Sequence, residues 1–238
     1  MINILNKNKA YITLHGFTLA EVLITLGIIG IVAAMTLPSI TTKINHIIAV
    51  NKLKKMYSTL SQAMLRACPE GDYSSLTFND SKLKDWYINY LKPQLKINKE
   101  CYNTKGCWNS GTKYMNGTVA SNANGVGSGF VAFDTIDGYF INMDGYLERD
   151  HDYVERVFGV NTQGDSLIVH VDINGNGKPN IIGKDVFVFV FSNKGFVPAC
   201  KIKNDNEIKQ DCSKNGNGIC CFEKIIRNGW EIDKNNLW

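Results

Sequence analysis

The string VDINGNGKPNIIGKD places Asp172, Asn174 and Asn176 at alternate positions, with Gly177 next. Alternating oxygen-bearing side chains around a turn that glycine makes tight is how protein loops surround calcium, a hard cation that takes several oxygens. Asn180 stands at the ninth position of such a loop. Gly183 occupies the twelfth, where a bidentate acid belongs, so Asp185 is the carboxylate left to substitute. Calcium held by Asp172, Asn174, Asn176, Asn180 and Asp185 is one expectation. The competing expectation is an Asn/Gly-rich loop between strands, whose side chains bond nearby backbone.

Other reactive residues carry less. His151 adjoins Asp152 and His170 lies two residues from Asp172, but no G-x-S-x-G elbow or other nucleophile signature accompanies them. They are expected to be surface or strand histidines, and no enzymatic activity is expected. The glycines of NGVGSGF lie in polar loop and lead into a strand, whereas a dinucleotide fingerprint needs a strand before and a helix after. Asp137-Gly138 and Asp144-Gly145 read as turns.

Seven cysteines, Cys68, Cys101, Cys107, Cys200, Cys212, Cys220 and Cys221, include no C-x-x-C pair, and the chain has four histidines, which argues against zinc. Disulfides are expected if the compartment is oxidising. The favoured arrangement is Cys101 with Cys107, plus a C-terminal staple joining Cys200 or Cys212 to Cys220 or Cys221. The odd count leaves at least one thiol outside these intrachain pairs.

Position separates one further residue from the rest. From Phe17 to Leu37 the chain reads FTLAEVLITLGIIGIVAAMTL, and Glu21 is its only ionisable side chain. A helix of that length spans roughly 32 Å, matching a hydrocarbon core of about 30 Å. An acid within such a run costs on the order of 3 kcal/mol at mid-span and less near an edge, so a plain anchor has no reason to keep it. The preceding residues include Lys7 and Lys9 and no acid, which leaves the N-terminus in the cytoplasm and everything after Pro38 outside.

The string GFTLAEVLITLGIIGIVAAMTLP, with Gly16 ending a short basic leader, aromatic Phe17, Glu21 fifth from Phe17 and Pro38 after the span, resembles the signal of type IV prepilins and type II secretion pseudopilins. The resemblance implies that a prepilin peptidase cuts between Gly16 and Phe17 on the cytoplasmic face and N-methylates the new Phe17 amine. It implies that Glu21 neutralises the terminal amine of a neighbouring subunit. Its partners would be like or related pilin subunits, an inner-membrane assembly platform and, before assembly, membrane lipid. Major secretion pseudopilins bind calcium in a head loop, which adds to the calcium expectation. The implied function is a structural subunit of a type II secretion pseudopilus or type IV pilus-like filament, first in the inner membrane with a periplasmic head, then in a filament in the periplasm or on the cell surface. The alternative is a minor pilin whose head is an adhesive or ligand- or DNA-binding tip module.

The elements that must position these residues follow from periodicity. Beyond Pro38, Ile44, Ile47, Ile48, Leu53, Met56, Tyr57, Leu60, Met64 and Ala67 recur mostly every three or four residues, opposite Lys43, Lys52, Lys54, Lys55 and Arg66. The expected division is a leader at 1–16, a transmembrane and assembly helix at 17–40, its amphipathic continuation at 41–68 and an extracytoplasmic head at 69–238. Pro38 is expected to bend or loosen the helix. In the head, 81–91 suggests a short helix, 102–129 a loop, and 130–133, 139–142, 167–173 and 186–191 strands, with a turn at 192–195 into Phe196 and Val197. The run VFVFVF suggests a strand covered on both faces. The predicted class is α+β, a long N-terminal helix packed on a C-terminal antiparallel sheet. Composition is ordinary for a globular chain, 44% hydrophobic and 20% charged, and a formal net charge of +4 is too small to indicate nucleic acid.

Overall fold

The computed structural model describes residues 16–68, 77–78, 80–109, 111–123 and 130–232. The chain divides into two units, at Ile44 and Asn45. Helix α1, Leu19–Arg66, begins in the first and ends in the second. In the first unit its large apolar side chains from Val22 to Leu37 are exposed, and the stretch is long and apolar enough to cross a membrane. Pro38 does not end the helix. Around it Thr41 and Thr42 turn their hydroxyls back onto the carbonyl oxygens of Leu37 and Pro38, so these polar groups are satisfied within the helix itself.

In the second unit α1 changes character from apolar all round to striped. Ala49, Val50, Leu53, Met56, Leu60, Ala63 and Met64 are buried, at the spacing that puts them on one helical face. They pack on a sheet of six strands: β1 Ile97–Tyr102, β2 Phe130–Thr135, β3 Phe140–Tyr146, β4 Ser166–Asp172, β5 Val186–Ser192 and β6 Gly195–Pro198. Spatial order follows chain order, and every neighbouring pair is antiparallel. This is the α+β class that the sequence implied, with the helix packed on the sheet head.

Alternation along the strands divides the core in two. Phe133, Ile141, Met143, Leu167, Val169 and Val171 join Phe187, Phe189 and Phe191 in the cluster that contains α1. Ala132, Ile168, Val186, Val188 and Val190 face a second cluster, shared with Trp108, Val154, Phe158 and the Cys101, Cys107, Cys200 and Cys220 disulfides. Every residue of β5 is buried, as its unbroken apolar sequence requires. Tyr57 locks helix to sheet: its ring centroid lies 5.8 Å from that of Phe189, 5.9 Å from Phe196 and 5.4 Å from Phe222. Aromatic pairs in these arrangements contribute about 0.5–1.5 kcal/mol each beyond the area they bury.

The remaining helices are short. α2, Asp80–Trp86, runs into a single π turn at Tyr87–Leu91, and α3 is His151–Phe158. α4, Asp205–Asp211, and α5, Cys221–Arg227, form a C-terminal lobe. Disulfides Cys200–Cys220 and Cys212–Cys221 staple that lobe, and Cys101–Cys107 closes the loop after β1. The lobe thus carries two staples where one was expected. Cys68 is a free, buried thiol whose pKa desolvation pushes up to about 11, which makes it unreactive.

β1 and helices α3 to α5 are additions to the sequence reading, and the residues 124–129 of the glycine string lie outside the described residues. One turn assignment is corrected. Asp137-Gly138 does form the β2–β3 turn, where Gly138 has φ 82°. Asp144-Gly145 instead lies within β3, paired with Ile168 and Leu167. Its glycine is needed for close approach, because a Cβ there would sit 2.0 Å from the Phe78 carbonyl oxygen. Gly145→Ala is expected to cost about 1–3 kcal/mol as that backbone is displaced. Denaturant unfolding of the full-length protein in detergent would measure this, and an unchanged midpoint would contradict the contact.

Candidate functional site

At the start of α1, Gly16 and Phe17 are exposed, and Phe17 retains 89% of its accessible surface. Thr18 and Glu21 then form a reciprocal cap. Glu21 Oε2 accepts the Thr18 backbone N–H and the Thr18 hydroxyl, both at 2.8 Å, and the Glu21 N–H donates to Thr18 Oγ1 at 3.3 Å. Such a T-x-x-E box satisfies backbone donors that the first helical turn leaves open. It also fixes the Glu21 carboxylate on the residue next to Phe17. A positive charge created at the Phe17 nitrogen would therefore arise beside an anion already held in place. Sequence reading singled out Glu21 but missed Thr18, although the T-x-x-E spacing was there to be read.

The second candidate is the loop between β4 and β5. Asp172 Oδ1 accepts the backbone N–H groups of Asn174 at 2.9 Å and Gly175 at 3.0 Å, the turn that Asx residues make with their own chain. Asp172 Oδ2 receives Asn109 Nδ2 at 2.8 Å, and the same Nδ2 donates to Gly175 O at 2.6 Å. Asp185 faces its own side of the loop. Its Oδ1 accepts Ile181 N–H at 2.7 Å, and its Oδ2 accepts Asn180 N–H at 2.7 Å and Asn174 Nδ2 at 3.1 Å. Asn174 Nδ2 also reaches Lys178 O at 3.2 Å. The Asn180 side-chain amide lies against Gly177 O at 2.7 Å and Asp172 Oδ2 at 3.3 Å, contacts that are hydrogen bonds only with its nitrogen turned inward.

Five residues expected around calcium are thus brought to one loop, but the carboxylates among them are already engaged by the loop's own N–H donors and by Asn109. All four carboxylate oxygens of Asp172 and Asp185 already accept N–H groups, Asn176 is exposed, and Gly183 offers no side chain. Asn174 Oδ1 is buried without a hydrogen-bond partner, yet one oxygen is no coordination shell. This donor set does not fit a resident calcium ion. Asn109 was not foreseen, since nothing in sequence links it to a loop more than sixty residues away.

Behind this loop a polar pair sits inside the second core. β3 and β4 place Asn142 opposite His170, with Ala132 and Val188 on either side. Asn142 Nδ2 and Oδ1 and His170 Nδ1 are buried without a hydrogen-bond partner among the described residues. Desolvation lowers the His170 pKa to about 4 and, aided by the nearby Asp185 charge, pushes Asp172 up to about 7. His151 and Asp152 form an exposed pair at 3.1 Å, a surface contact of small energetic weight. Cys200, Asp211 and Cys220 lie together, but the two cysteines are bonded to each other, which leaves Asp211 as the only free ligand of that group.

Residues 15–37 match the prokaryotic N-terminal methylation motif, the type IV prepilin-type signature. The matched segment contains Gly16, Phe17, the Thr18–Glu21 cap and the exposed apolar half of α1. The motif supports a type IV pilin-like or pseudopilin subunit, and it implies processing by a prepilin peptidase and assembly with pilin subunits. No curated protein and no solved structure matches the chain.

The buried imidazole makes a pH prediction. His170 is held near 4, below the ordinary 6.5, so its neutral form contributes stability that is complete above about pH 6.5 and is lost as pH falls towards 4, about 3 kcal/mol in all. Asp172 has the opposite sign, contributing at low pH and losing its contribution as pH rises through about 7. Comparison with His170→Gln isolates the first effect: the unfolding free energy of wild type should decline relative to that of the variant as pH falls from about 6.5 to 4. Equal slopes would contradict the assignment.

Proposed function

We propose that this chain is a structural subunit of a type II secretion pseudopilus or type IV pilus-like filament. Residues 1–16 are its leader, cut between Gly16 and Phe17, and the new Phe17 amine is N-methylated. Residues 17–40 hold the subunit in the cytoplasmic membrane and then in the filament, 41–68 continue the helix, and 69–238 form the extracytoplasmic head. The observation that carries this reading is the methylation motif at 15–37 with Glu21 held at the helix start.

Physical chemistry supports each step. Lys7 and Lys9 keep the N-terminus cytoplasmic, and three disulfides suit a head exported to an oxidising compartment. An exposed helix that is apolar all round needs a nonaqueous surrounding, first lipid and then the helices of other subunits. The Glu21 carboxylate is costly in either, and the cationic Phe17 amine of a neighbouring subunit offsets that cost on assembly. The chemistry is done to this protein at Gly16 and Phe17, and its own role is structural.

Glu21→Ala separates processing from assembly. The variant should still be cleaved and methylated, since the scissile bond is untouched. Filament yield should fall at least tenfold, because loss of about 1.4 kcal/mol per contact is already a factor of ten. Immunoblotting of sheared filaments against total processed protein reads this ratio, and an unchanged ratio would remove Glu21 from assembly.

A further inference from the structure

We propose that the side-chain amide of Asn109 closes the Asp172 loop in the place a cation would take, so that the head folds independently of metal. The loop has the backbone form of a cation loop. One carboxylate oxygen, Asp172 Oδ1, gathers the N–H groups of Asn174 and Gly175, which leaves Oδ2 to face inward. In a calcium loop that inward oxygen and nearby carbonyl oxygens would meet the ion. Here they meet Asn109 Nδ2, at 2.8 Å from Asp172 Oδ2 and 2.6 Å from Gly175 O. Turned so that its amide nitrogen faces inward, Asn180 would add a donor to Gly177 O and Asp172 Oδ2. The Asn109 amide therefore provides the donor for oxygens that would otherwise need a cation.

The missing acid fits the same account. Gly183 has φ +90°, and a Cβ there would lie 2.7 Å from Cys221 Sγ and 2.9 Å from Gly218 O, so no acidic side chain can stand at the twelfth position. Asp185, the potential substitute, is turned to the backbone of Asn180 and Ile181. Asn109 lies two residues beyond Cys107, so its amide also ties the loop closed by the Cys101–Cys107 disulfide to the β4–β5 connection.

The test uses the full-length protein in detergent, melted in EDTA and in about 5 mM calcium chloride, a concentration that would fill even a weak extracellular-type site. Wild type should melt at the same temperature in both. Asn109→Ala should melt roughly 4–8 °C lower in both, because Asp172 Oδ2 and Gly175 O lose a donor in a buried setting. Asn109→Asp puts a third carboxylate beside Asp172 and Asp185. It should be destabilised in EDTA and recover with calcium, the metal taking over the position that the amide holds. A wild-type melting temperature that rises with calcium would overturn the proposal, as would an Asn109→Ala protein that melts like wild type. The wild-type comparison stands even if a variant fails to fold.

Discussion

A sheet whose central strands are apolar on both faces must be covered twice, and the rest of this molecule follows from that requirement. β5 buries Phe187, Phe189 and Phe191 on one side and Val186, Val188 and Val190 on the other. The first side takes the stripe of α1 from Ala49 to Met64, with Tyr57 set among Phe189, Phe196 and Phe222. Among the described residues no long helix covers the second side. It is closed by α3, by Trp108, whose indole N–H bonds to Ala123 O, and by loops that disulfides fix in position. Chain-entropy arguments give such cross-links about 2–4 kcal/mol each, a stabilisation that short helices and loops need.

The same constraint explains why one helix can carry two patterns. Where α1 covers the sheet, polar residues occupy its outer face, and three lysines reach across to the head: Lys52 to Ile173 O, Lys54 over the Trp230 ring and Lys55 to Asp137. Between Phe17 and Leu37 the large apolar side chains are exposed and run all round the helix. A surface of that kind is stable only away from water, where an unpaired carboxylate is costly. The Thr18 cap shows how that carboxylate is held meanwhile.

Much of this was legible in the sequence because it rests on periodicity. α1, the strands around VFVFVF and the helical segment after residue 80 all show a regular apolar spacing. β1 was not legible, since INKECY interleaves Asn, Lys and Glu at a sheet edge where little is buried. α4 carried a readable cap in Asn204 and Glu207, but α5 depends on Cys220 and Cys221 being pinned by disulfides formed with distant residues. Gly145 mimicked a turn because a glycine required by the Phe78 backbone looks in sequence like a glycine required by a bend. The Asp172 loop was found by its spacing, whereas its closure by Asn109 arises only in three dimensions.

The central claim is that Phe17 becomes the first residue of the working protein and that its amine bears a methyl group. Intact-mass and N-terminal peptide mass spectrometry of the protein from its native membrane tests this directly. The expected product is a chain that lacks residues 1–16 and is heavier than the bare remainder by one CH2, the net gain when a methyl group replaces an amine hydrogen. A chain that keeps Met1, or that begins at a residue other than Phe17, would contradict it.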